Sequence, residues 1–127
     1  MRMFLACADE RLKIALLMLL DHEPEMVVAG ISDRLQGLPA QLEASQPDAL
    51  ILERSEPLPQ ITELITNIHN LAHPPVIVYL SSRASEQETI MAAGADYFVV
   101  KNAPPDELLS ILNNLRLSET KSQTTNS

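Results

Sequence analysis

The chain contains no tryptophan and only two phenylalanines and two tyrosines among its 127 residues. Its core must therefore be built from aliphatic side chains and methionine. Glycine is almost as scarce. Gly30, Gly37 and Gly94 stand too far apart to form a G-x-G-x-x-G or Walker-type phosphate loop, which disfavours a nucleotide-dependent enzyme. The single cysteine, Cys7, excludes an internal disulfide, and its place inside an apolar run reads as a buried, inert thiol in a reducing compartment. Basic residues are few: nine Lys and Arg against seventeen Asp and Glu give a net charge of −8. A polyanionic backbone repels such a surface, so no nucleic-acid partner is expected. Long apolar runs are missing too. The longest, Ile14 to Leu20, falls far short of a membrane span, and Asp9 and Glu10 interrupt the start where a signal peptide would continue apolar. The expectation is a cytoplasmic protein with no membrane association.

What is present suits one small domain with one sheet. Apolar residues make up 46% and charged residues 20%, a balance that supports a packed core. Met1 to Cys7, Met26 to Ile31, Ala49 to Glu53, Val76 to Leu80 and Tyr97 to Val100 read as strands, each a nearly unbroken apolar run. Between them lie helical patterns. One runs from Arg11 to about His22 and stops before Pro24; one begins at Pro39 and runs to about Ser45; one spans about Gln60 to Leu71. Ser85 with Glu88 three residues on has capping-box spacing, and Gly94 closes that helix. Pro104-Pro105-Asp106-Glu107 opens a last helix with Leu108, Leu109, Ile111, Leu112 and Leu115 as its apolar stripe, and Asp106, Glu107 and Arg116 around it. Residues 118–127 are polar and aperiodic, a tail or linker. Strands alternating with helices predict an α/β fold: a five-stranded parallel sheet, doubly wound, in three α/β/α layers.

In such folds the working crevice opens at the carboxyl ends of the strands. Asp9, Glu53, Ser81 and Lys101 stand there. Two carboxylates, a hydroxyl and an amine can hold a divalent cation and a phosphoryl group, although strand ends are also polar simply because they meet water. Other signals are weaker. His69 and His73, four apart, have zinc-ligand spacing, but a helix C-terminus favours cationic histidine without any metal, and no third ligand is near. Arg83 could reach an anion in the crevice or stand in solvent. No Ser–His–Asp arrangement is apparent, because all three histidines fall at helix ends or in loops.

The segments Ala8-Asp9-Glu10, Pro47 to Glu53, and Ala93-Gly94-Ala95-Asp96 leading through Tyr97-Phe98-Val99-Val100 to Lys101 resemble the receiver domains of response regulators, over roughly residues 1–116. The Ala-Gly-Ala-Asp segment, the lysine seven residues after its glycine and the Pro-Asp-Glu-Leu-Leu helix start are the most specific parts. The resemblance implies a flavodoxin-like receiver fold and a phosphorylation pocket. Its acidic pair falls on Ala8 and Asp9, of which Asp9 keeps the residue that does most of the Mg²⁺ holding. The phosphoacceptor position falls on Glu53, one methylene longer than aspartate and displaced by about 1.5 Å, enough to disturb in-line geometry. The switch hydroxyl falls on Leu80 or Tyr79, depending on which end of the segment is counted from, with Ser81 the nearest hydroxyl. Lys101 matches the phosphate-binding lysine and Phe98 the rotating aromatic.

The resulting expectation is a 1–116 receiver-like domain followed by a 117–127 tail, with an altered pocket in which Glu53 pairs with Lys101. Mg²⁺, if bound, would sit on Asp9 and Glu53. Such a domain would be no metabolic enzyme. It would act by phosphorylation-independent contact with a protein partner: a histidine kinase, an effector, or itself through the 84–116 face. Leu109 and Leu115 would either form that seam or face the sheet. The alternatives are a Mg²⁺-dependent phospho-accepting response regulator and a flavodoxin-like small-molecule-binding domain, the latter disfavoured by the lack of aromatics to sandwich a flavin.

Overall fold

Each of the five apolar runs becomes a strand: β1 Arg2–Cys7, β2 Val27–Ser32, β3 Ala49–Glu53, β4 Val76–Ser81 and β5 Tyr97–Val100. The computed structural model describes residues 1–101 and 107–115. All neighbouring strands are parallel, in the order β2-β1-β3-β4-β5. The helices are α1 Glu10–Asp21, α2 Leu38–Ser45, α3 Leu58–His69, α4 Gln87–Ala93 and α5, residues 107–115. The fold is the doubly wound α/β architecture expected from the alternation.

The central strands explain why their sequences lack polar alternation. All five residues of β3 are buried, because helices cover both faces of the sheet. Successive side chains point to opposite faces, so Leu50 and Leu52 enter one core while Ala49 and Ile51 enter the other. The first core collects Leu38 and Leu42 of α2, Ile61, Leu64, Ile65 and Ile68 of α3, and Ile90 of α4. The second collects Leu16 and Leu20 of α1 with Leu108 and Leu112 of α5. Leu115 packs against that second core, so it faces the sheet.

Two glycines are required by their surroundings. Gly30 lies so close to Phe4 that a Cβ would stand 2.4 Å from the ring, at the point where the β1–β2 register shifts. Gly94 ends α4 at φ 125°, a backbone region that side chains disfavour. Two residues further on, Asp96 ties the strand starts together, its carboxylate accepting the Ile77 N–H at 2.8 Å. The Ala-Gly-Ala-Asp segment is thus a helix stop followed by a strand anchor.

Several local expectations are corrected. Ser85 does not cap α4; it lies exposed within a 3-10 turn, Ala84–Glu86, and α4 begins without a side-chain cap. Ser81 organises this corner instead, accepting the Arg83 N–H at 3.0 Å and donating to Glu86 Oε1 at 2.6 Å. Helix α3 starts at Leu58 and ends at His69, so His73 lies beyond it and the two histidines do not share a helical face. The start Pro104-Pro105-Asp106, Arg116 and the tail lie outside the described residues.

Candidate functional site

The carboxyl ends of β1, β3, β4 and β5 bring Asp9, Glu53, Ser81 and Lys101 to one edge of the sheet. Glu53 is the last residue of β3, opposite Cys7 in the ladder. Its side chain is only 6% exposed, so each of its oxygens needs a partner. Oε1 accepts from the backbone N–H groups of Ala8 at 3.0 Å and Asp9 at 2.9 Å. Oε2 receives Lys101 Nζ at 3.2 Å. The additional methylene of glutamate lets the carboxylate lie across the β1–α1 loop and tie it to β3.

Asp9 is the N-cap of α1. Its Oδ1 accepts the Arg11 and Leu12 N–H groups, and its Oδ2 receives Lys101 Nζ at 3.2 Å. The Leu12 amide and the Lys101 ammonium hold its carboxyl below the usual range. Lys101 itself is partly buried, which works against its charge. The hydrogen bonds to Glu53 and Asp9 outweigh that burial and hold its pKa above the ordinary lysine value. Beneath them Cys7 is pushed up to about 12 by burial and then by the Glu53 charge, which makes it a poor thiolate. As arranged, a divalent cation and Lys101 compete for the same two carboxylates. Among the described residues, no group of three or more His, Cys, Asp or Glu is placed to hold a metal ion.

Ser81 closes β4 and is buried, but its hydroxyl bonds to Arg83 and Glu86 rather than to Glu53 or Lys101; only its carbonyl touches the latter, accepting the Lys101 N–H at 2.8 Å. Phe98 is half-buried on β5 and stacks against Tyr79 with ring centroids 6.2 Å apart. Arg83 is exposed on the rim of a groove of about 640 Å³, lined among others by Glu53, Ser55, Leu58, Ser82 and Lys101.

Sequence reasoning missed Arg54 and its partner. Arg54 follows Glu53 directly, yet its side chain is 4% exposed. It grips Glu56 with two parallel bonds, 2.9 Å and 2.7 Å, and reaches the Asp33 carbonyl at 3.1 Å. The Arg54 guanidinium holds Glu56 below the usual carboxylate range. A charge just after an apolar strand ordinarily marks the return to solvent. Its spacing of two from Glu56 carried no signal that both would fold back over the groove.

No protein-family model and no curated relative matches the chain. Solved structures do match its fold. The response regulatory domain of mrkE from Klebsiella pneumoniae aligns at a TM-score of 0.83 and 19% identity, covering 95% of this chain and 99% of that one. The isolated REC domain of RcsB from Salmonella enterica serovar Typhimurium, solved with the phosphomimetic BeF₃⁻, aligns at 0.80 and 18%, covering 91% and 88%. A CheY-like protein, tadZ, from Pseudomonas aeruginosa PAO1 aligns at 0.70 and 18%, covering 91% and 99%. Among the described residues no helix is long and apolar enough to cross a membrane. Strand order, helix placement and these likenesses agree: the chain has the receiver fold of response regulators.

Proposed function

We propose that this chain is a signalling module of the receiver type that works through protein contacts without taking up a phosphoryl group. The observation that carries this reading is the saturation of the pocket. Glu53 commits one oxygen to two backbone amides and the other to Lys101, and Asp9 commits one to its helix cap and the other to the same lysine. The Glu53–Lys101 contact stands in for the contact between a lysine and a phosphorylated aspartate. The domain is held in one state by its own side chains.

Phosphoryl uptake would need the pocket to open at three places. A cation would have to displace Lys101 from both carboxylates, a glutamate oxygen would have to leave two amides, and the Ser81 hydroxyl would have to leave Glu86. With the pocket closed, the output is recognition by a protein partner, a kinase or an effector, at the face formed by α4, β5 and α5. Incubation with acetyl phosphate and Mg²⁺, followed by intact mass measurement, tests the proposal. The wild type and Glu53→Asp are both expected to keep their unmodified mass, because the substitution supplies neither the acid missing at Ala8 nor a free hydroxyl. A gain of one phosphoryl mass on the wild type overturns the proposal.

A further inference from the structure

Large apolar side chains exposed to solvent are few among the described residues, and three of the five lie on the α1 side of the β2 edge. Ile14 and Met18 are 50% and 63% exposed on α1, and Ile31 is 47% exposed on the adjoining edge strand β2, level with Leu5 on the face that α1 covers. Val27, 57% exposed, lies on the other face. Among the described residues, the face of α4, β5 and α5 contributes only Met91, at 37%. Surface leucines and methionines scattered singly need no explanation, whereas a cluster on one helix and its neighbouring strand marks a contact surface.

The pattern along α1 identifies what fits it. At about 100° per residue, Arg11, Ile14, Ala15, Met18 and Asp21 fall within one stripe roughly 120° wide. All five are exposed. The stripe begins with a cation and ends with an anion, and among the described residues neither side chain is engaged in an ion pair or side-chain hydrogen bond. Lys13 and Glu10, by contrast, already pair with each other at 2.7 Å. An isologous two-fold contact brings residue i against residue j and j against i. Laid antiparallel on its own copy, this stripe sets Arg11 against the second copy's Asp21 at both ends. Ile14 then meets Met18 on either side of the dyad, and the small Ala15 beside the mid-point lets the helix axes approach. The lateral offsets agree as well, since Arg11 and Asp21 lie on opposite sides of the stripe and the two-fold turns them to the same side. A parallel arrangement would set Arg11 on Arg11 and Asp21 on Asp21.

We infer that the α1 face, with Ile31 beside it, is a homodimer interface in which two copies of this chain pack α1 antiparallel about a two-fold axis. This surface shares no element with the face of α4, β5 and α5, although α1 and α5 lie over the same core. It stands or falls independently of the pocket chemistry. A single pair of three-turn helices with a strand edge is a small interface, so the association belongs in the micromolar range.

Sedimentation equilibrium of the full chain at about 150 mM salt, from roughly 1 to 500 µM, tests it. The wild type is expected to pass from monomer to dimer across that range. Arg11→Asp and Asp21→Arg are each expected to weaken self-association about tenfold or more, since each places like charges together at both ends. Both substitutions suit the helix dipole, an acid near the N-terminus and a base near the C-terminus, so the fold is retained, as circular dichroism will show. The decisive measurement mixes the two variants. In a mixed pair one chain is acidic at both ends of the stripe and the other is basic at both, so opposite charges meet again. The mixture is expected to dimerise at wild-type strength or better. A wild type that stays monomeric throughout, or a dimer indifferent to both reversals, overturns the inference.

Discussion

Lys101 Nζ stands 3.2 Å from Glu53 Oε2, although their strands β5 and β3 are not neighbours and β4 lies between them. The lysine reaches across the end of β4 because that strand finishes in a small residue, Ser81, whose hydroxyl turns away to Arg83 and Glu86. A contact that spans three strands at their carboxyl ends fixes the separation of loops that no backbone hydrogen bond joins. It also neutralises a carboxylate that is almost wholly removed from water.

Removing the cation should therefore cost more than a surface ion pair would. Lys101→Met leaves Glu53 with its two amide bonds but no counter-ion, and is expected to destabilise the domain by about 2 kcal/mol. Adding Glu53→Gln in the same chain should recover part of that loss, since a neutral amide needs no cation. Urea unfolding of the two single variants and the double variant reads the coupling directly. Additive effects would show that the pair contributes nothing.

The pH dependence follows from the directions of the shifts. Asp9 is depressed below its ordinary value of 3.8, so its contribution is present above that pH and disappears as pH falls through the depressed value. Lys101 is raised above 10.5, so its contribution is present below that pH and disappears only as pH climbs through the raised value. From about pH 5 to 9 the stability carried by this network should be flat. Asp9→Asn keeps an N-cap oxygen and removes the charge. Its melting temperature should lie below that of the wild type at pH 7, and the gap should close as pH falls below about 4. A gap unchanged at pH 3 would mean that the cap, not the charge, carries the effect.

Gly30 should resist any side chain, because a Cβ meets the Phe4 ring at 2.4 Å in a packed sheet. Gly30→Ala is expected to cost about 1–3 kcal/mol through forced repacking. Phe4→Leu introduced alongside should relieve some of it. If Gly30→Ala proves neutral in urea unfolding, the bulged β1–β2 register is softer than the ring contact implies.

Much of the fold was legible because its signals are local. Ala49 to Leu52 reads as a buried parallel strand from composition alone, and Gly94 reads as a helix stop because few other residues tolerate that backbone. Boundaries were less legible where one side chain decides them. The start of α4 shifted because Ser81, four residues before Ser85, captures Glu86 and the Arg83 amide, leaving Ser85 no capping role. Nothing adjacent in the sequence records that competition.

The candidate site divides the same way. Chemistry at the strand ends was visible from Asp9, Glu53 and Lys101, because a parallel sheet of this order must gather those ends on one side. Which oxygens are engaged, and by what, was decided by tertiary structure. The depth of Glu53, the two amides that its longer side chain reaches and the contact of Arg54 with the Asp33 carbonyl depend on distances between chain segments that are remote in sequence. What the sequence determined by itself was the alternation of apolar runs and helices, since periodicity and punctuation act within a few residues. Only the folded chain decided that its lysine answers two carboxylates at once, because a hydrogen bond is set by positions in space and not along the chain.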